Sequence, residues 1–100
     1  MNRSDLPTSN KPTEAQTANP GTGWTTFAGE PVIGWARLHN VTATFIEYSV
    51  KHGDTWGSVN ITVPDGAVRN VFGLNNMNQI RVRRVDQSNT QVLVKAEALG

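Results

Sequence analysis

Three sets of residues in this sequence carry side chains that could do chemistry. The first is aromatic. Of the three tryptophans, Trp56 shares parity with Ser58, Asn60 and Thr62, so in an extended strand it lies on a polar face. A tryptophan placed there, with hydroxyl and amide partners beside it, has the make-up of a platform on which a sugar ring stacks, and Trp35 and Tyr48 are the residues that would extend it. The same ring covered by another strand, the N-terminal arm or a second subunit is an anchor, the commoner use of tryptophan at interfaces. The second set is basic: Arg81, Arg83 and Arg84, with Lys95, leave residues 79–100 net positive after Asp86 and Glu97 are counted. Recognition of single-stranded nucleic acid requires aromatics interleaved with such cations, and residues 79–100 contain none. That argues against a nucleic-acid partner and for a solvated face or an interface with an acidic partner.

The third set holds the histidines and acids. His39 and His52 stand beside predicted turns without the spacing of a metal-binding helix, and no sequence-local group supplies the three or four ligands a metal needs. Four of the eight acids, Glu30, Asp54, Asp65 and Asp86, fall in predicted turns, where aspartate in particular has a structural reason to be. No nucleophile elbow, phosphate-binding loop or dinucleotide fingerprint is present, and Gly21-Thr22-Gly23 is too short to stand for one. The expectation is a protein that is not an enzyme, with no catalytic residues, no cofactor and no metal.

Composition narrows the classes further. Nine basic and eight acidic residues give a formal charge of +1, which argues against coating nucleic acid or an anionic membrane by bulk electrostatics. No apolar run approaches the roughly 18 residues of a membrane span, and no apolar leader follows Met1. A soluble, cytoplasmically made protein without a signal peptide is expected. Cysteine is absent, so a core or an oligomer interface must supply the stability that disulfides give other small chains. The sequons Asn40-Val41-Thr42 and Asn60-Ile61-Thr62 are read as chance.

The elements that must position these residues are strands. Residues 1–22 are rich in Pro, Ser, Thr, Asn and Gln, cannot form a core, and read as a disordered or extended arm in which Leu6 and Pro7 are the anchors if it grips a neighbouring subunit. Residues 23–100 read as one β-domain. Within it, residues 44–63 alternate in polarity around Lys51-His52-Gly53-Asp54 and predict a hairpin whose buried face is Ile46, Tyr48, Val50, Val59, Ile61 and Val63. Residues 32–38 predict a strand with Val32, Gly34, Ala36 and Leu38 on one face and Ile33, Trp35, Arg37 and His39 on the other; the small Gly34 and Ala36 suggest a close approach. Pro64-Asp65-Gly66 ends the hairpin. Residues 74–78 read as a loop. Residues 79–86 and 91–99 predict a second hairpin, whose apolar faces match only if a β-bulge is placed at Arg83-Arg84.

Residues 24–27 and 67–72 are further short strand candidates, making seven, and seven strands without helical periodicity make the fold class all-β, a small antiparallel sandwich or barrel with a flexible N-terminal arm. A polar arm before a compact, Val-, Thr- and Asn-rich β-domain without cysteine resembles the small β-modules of bacteriophage virions, such as head-decoration and tail-fibre modules. That resemblance implies a structural protein of the virion that forms a homo-oligomer, a trimer by analogy, and contacts other structural proteins through its arm. A carbohydrate- or receptor-binding β-module using an exposed tryptophan, and a small nucleic-acid-binding barrel centred on the arginines, are the alternatives.

Overall fold

Alternating polarity builds strands throughout, and the computed structural model, which describes residues 10–99, is all-β apart from one short 3-10 helix, Met77–Gln79. In chain order the strands are β1 (Asn10–Gln16), β2 (Thr25–Thr26), β3 (Pro31–His39), β4 (Ile46–His52), β5 (Thr55–Trp56), β6 (Ile61–Val63), β7 (Val68–Asn76), β8 (Ile80–Arg84) and β9 (Leu93–Leu99). Two antiparallel sheets result, one ordered β1-β9-β3-β7 and the other β2-β8-β4-β5, with β6 also paired to β4. Each of the seven predicted segments holds a strand; β1 and the division of the hairpin's second half into β5 and β6 make the number nine.

The core lies between the sheets because each strand turns one apolar parity inward. From the first sheet come Ala36, Leu38, Val71, Val94 and Ala96, and from the second Ile46, Tyr48, Val63, Ile80 and Val82, in one continuous cluster. Burying a branched aliphatic or aromatic side chain contributes roughly 1.5–3 kcal/mol, so these positions carry the fold. On β3 the expected faces hold: Val32, Ala36 and Leu38 are buried and Ile33, Trp35, Arg37 and His39 point out. Gly34 is the exception. A Cβ there would meet nothing within 4 Å, whereas its φ of 91° lies in the region glycine favours. The residue serves an irregularity in the β3–β7 ladder, where Gly73 also has a positive φ.

In the central hairpin Ile46 faces Val63 and Tyr48 faces Ile61, and the tight turn between His52 and Thr55 has Gly53 at φ 62°. Lys51 opposes Trp56, so the second arm holds two more residues than the first between these pairs. The insertion preserves parity but pushes residues 57–60 off the sheet. Val59 is therefore 71% exposed and Ile61, on the outer edge, is exposed as well, which corrects their assignment to the core.

The predicted C-terminal hairpin does not form. β8 pairs with β4 and β2, while β9 pairs with β3 and β1 in the opposite sheet. No bulge exists at Arg83-Arg84, since Glu47 opposes Arg83 and Ile46 opposes Arg84 in regular register. Instead residues 85–92 cross between the sheets. Asp86 accepts from Arg84 and from the Ser88 amide, and Gln87 takes a φ of 55°, which turns the chain out of β8. The buried Thr17 receives it on the other side, donating its N–H to the Val92 carbonyl and accepting the Val92 N–H on Oγ1.

Part of the sequence-level arm is thus a strand. Asn10–Gln16 is extended and pairs along its length with the chain's own β9, and Ala15 joins the core. The 3-10 helix and the end of β7 replace the predicted loop at 74–78. Gln79 and Asn76 cap the helix reciprocally, which gives the asparagine-rich stretch its structural reason.

Candidate functional site

Parity along β8 and β4 sends Arg81 and Arg83 outward beside Glu47, Ser49 and Lys51, and the register sets Glu47 across from Arg83 and Ser49 across from Arg81. Pairing of Thr25 with Val82 brings the preceding Trp24 alongside Arg83, while pairing of Trp56 with Lys51 brings that indole to the opposite side of Arg81. The outer face of the second sheet consequently carries an alternating row of cations and indoles. Arg81 lies 4.5 Å from the centroids of both Trp24 and Trp56, Arg83 lies 4.3 Å from Trp24, and Lys51 lies 5.8 Å from Trp56. All are within cation–π range, and such contacts strengthen as the pair is desolvated.

The arginines differ in what they do with their N–H groups. Arg83 donates through Nε to Glu47 Oε2 at 2.7 Å and through Nη1 to the Thr22 carbonyl at 3.1 Å. Arg84 forms a two-pronged pair with Asp86, at 2.9 and 2.8 Å, and reaches the Thr90 carbonyl. The Arg84 hydrogen bonds to Asp86, with that of the Ser88 amide, hold the Asp86 carboxyl below the usual carboxylate range. Arg81 has neither arrangement: its Nε–H is buried without an acceptor, and burial followed by the charge of Arg83 lowers its pKa from the arginine value.

The sequence named Arg81, Arg83, Trp56 and Trp35 separately. The fold unites the first three on one face and places Trp35 on the outer face of the other sheet. There Trp35 stacks on Phe72, centroids 5.7 Å apart and planes 21° apart, with Arg37 5.4 Å from its ring. Arg84 turns into the β8–β9 crossing. Tyr48 is corrected as a ligand or interface residue, since only 5% of it is exposed and its ring belongs to the core. Leu6 and Pro7 lie outside the described residues. Trp56 keeps its predicted parity with Thr62, but its ring already holds Arg81 and Lys51 and is not a bare stacking platform. Aromatics do interleave with the basic set, supplied from Trp24 and Trp56 rather than from residues 79–100. Sequence reasoning missed Trp24, Lys51 and Phe72 because their neighbours depend on which strands pair, and only Trp24, two residues before Thr26, offered a parity to follow.

A groove of about 570 Å³ opens over the middle of β1 and β9 beside the end of β3, lined by Pro12, Glu14, His39, Val41, Lys95 and Glu97 among others. His39 Nε2 lies 2.5 Å from Glu97 Oε1, and Arg37 is 3.9 Å from the same oxygen. Acids and bases alternate around this groove, so its charge selects no sign of ligand. Among the described residues no three His, Asp or Glu side chains converge to hold a metal, and no helix is long and apolar enough to cross a membrane. No family model, no curated protein sequence and no solved structure matches the chain.

Proposed function

We propose that this chain is a non-enzymatic structural module that self-associates through the β7 side of its first sheet. The observation that carries the reading is Phe72, 66% exposed and stacked on Trp35 at a sheet edge that no described strand covers. Ile33, two residues from Trp35 on β3, is 76% exposed. β7 adds an edge strand nine residues long; Arg69 and Gln79 engage backbone groups at its two ends, Val68 and Asn75–Asn76, and the stretch around Phe72 between them presents its outer edge to another chain. A small domain without cysteine gains from covering such a face, and aromatic anchors beside an open edge are what a protein interface requires. The resemblance to bacteriophage virion modules would set this assembly in a decoration or tail structure, with a trimer the favoured form.

Light scattering over a range of concentrations tests the reading. The full chain is expected as an oligomer and Phe72→Glu as a folded species of lower mass, because the exposed side chain is dispensable to the core. A wild-type monomer at every concentration would remove the proposal. Deleting residues 1–9, which precede β1, tests the arm separately; a deletion reaching residue 22 would remove a strand of the fold itself.

A further inference from the structure

We infer that the terminal guanidinium edge of Arg81, framed by Trp24 and Trp56, is a binding site for an oxyanion: a carboxylate, sulfate or phosphate group. The argument begins with the shape of the group. A guanidinium uses its two faces for stacking and its edge for hydrogen bonding, so indoles at 4.5 Å on either side leave the in-plane donors free. They also hold the plane still. Little side-chain entropy remains to be lost when an anion binds that edge.

The register then explains why no acid of the chain fills the site. Arg83 faces Glu47 across the β8–β4 ladder and pairs with it, whereas Arg81 faces Ser49, whose hydroxyl is donated to the Gly57 carbonyl at 3.2 Å. On the other side Arg81 faces Thr26. Among the described residues Arg81 has no hydrogen-bond acceptor and no carboxylate partner, and only its Nε–H is sealed from solvent, so the terminal N–H groups stay open at the surface. Arg83 stacks on the same indole, and Lys51 stands beyond Trp56. Three cations thus share two rings, and Glu47 offsets one of them. Burial and the neighbouring Arg83 already press against the charge on Arg81, which an arriving anion would relieve. Charge-assisted, two-pronged pairing to an arginine edge is the geometry that planar carboxylates and tetrahedral oxyanions use.

The test follows side-chain signals of the isotope-labelled full chain during titration with sodium acetate, sulfate and phosphate at ionic strength held constant with sodium chloride. The buried Arg81 Nε–H is shielded from exchange and serves as reporter together with the Trp24 and Trp56 indoles. A saturable shift confined to these three signals, with the Trp35 indole unmoved, is the expected result. Stronger binding of acetate names a carboxylate as the source, and stronger binding of sulfate or phosphate names a tetrahedral anion. Arg81→Lys keeps the charge but loses the fork, and should bind about tenfold more weakly, the equivalent of one charge-assisted hydrogen bond; Arg84→Gln should bind as wild type. Shifts that never saturate and spread equally over Arg37, Arg84 and Arg81 would reduce the effect to screening and overturn the site. The wild-type titration decides this even if Arg81→Lys does not fold.

Discussion

Asn40 is a buried polar side chain whose groups are all used. Its Nδ2 donates to the carbonyls of Thr44 and Val63, both at 2.7 Å, and its Oδ1 accepts from the Thr42 amide and hydroxyl at 3.1 and 2.6 Å. Its backbone joins the same junction, donating to Ala67 and accepting from Gly66. The asparagine and threonine two positions apart, which read as a chance sequon, thus have a local purpose: the side chain imitates a turn of backbone and ties the β3–β4 and β6–β7 connections together where β3 ends. Leaving buried carbonyls without donors costs about 1–3 kcal/mol each. Asn40→Ala is accordingly expected to lower stability by about 3 kcal/mol, seen as a lower denaturant midpoint with an unchanged slope. Asn40→Asp should be at least as damaging, because a carboxylate then faces two carbonyl oxygens. An Asp variant as stable as wild type would show that the amide donors carry nothing.

The hairpin predicted from residues 79–99 failed at the level of elements, and the reason was visible. Both segments have one apolar face, Ile80 and Val82 in β8, and Val94, Ala96 and Ala98 in β9. Such faces match whether two strands lie side by side in one sheet or face each other across a core. Side-by-side pairing required a bulge, and that mismatch was the sign that the strands face each other. Faces and turns were legible on β3, at Gly53 and in the inward parity of Ile46 and Val63 because they depend on neighbours in sequence. Partners were not, because β1-β9 and β3-β9 join segments far apart along the chain, and so the Trp24–Arg81–Trp56 row could not be assembled from any one segment. Gly21 shows how closely such remote pieces meet. A Cβ there would lie 2.1 Å from the Ser88 carbonyl oxygen and 2.4 Å from that of Gln87, both backbone atoms. Its amide donates to Asn89 Oδ1 at 2.9 Å. Gly21→Ala must therefore separate the loop before β2 from the β8–β9 crossing, at a cost of about 1–3 kcal/mol. Gly53→Ala gives a contrast in thermal unfolding, since nothing lies within 4 Å of that Cβ and only its positive φ opposes the change. A Gly21→Ala variant as stable as the wild type would mean that the two loops part without cost.

At the scale of the whole molecule, both sheets share one core, so separating them exposes it in a single cooperative step, as small domains usually do. Tyr48 reports that step. It is the only tyrosine of the chain, it pairs with Ile61 and Val82 at the centre of the second sheet, and it is buried. Burial raises its pKa above the ordinary tyrosine value, and the charge of Arg69 opposes this only in part. The folded state therefore favours the neutral phenol, and a pKa raised on folding contributes stability that is whole below the unfolded value, about 10, and falls away as pH rises towards the folded one. Alkaline titration followed by tyrosinate absorbance should give one step above the ordinary tyrosine range, rising together with loss of the β circular-dichroism signal. Tyr48→Phe removes the titrating group while keeping the ring, so its stability should stay level through the alkaline range in which wild type weakens, apart from the effects of lysine. Ionisation at the free-tyrosine value with the β signal intact would place the ring in water and overturn the packing of the second sheet against the first. The assembly proposed above stabilises the folded state by mass action, so in the wild type this step should move to higher pH as concentration rises, whereas in Phe72→Glu, whose altered side chain lies on the outer face and leaves the Tyr48 core intact, it should stay fixed.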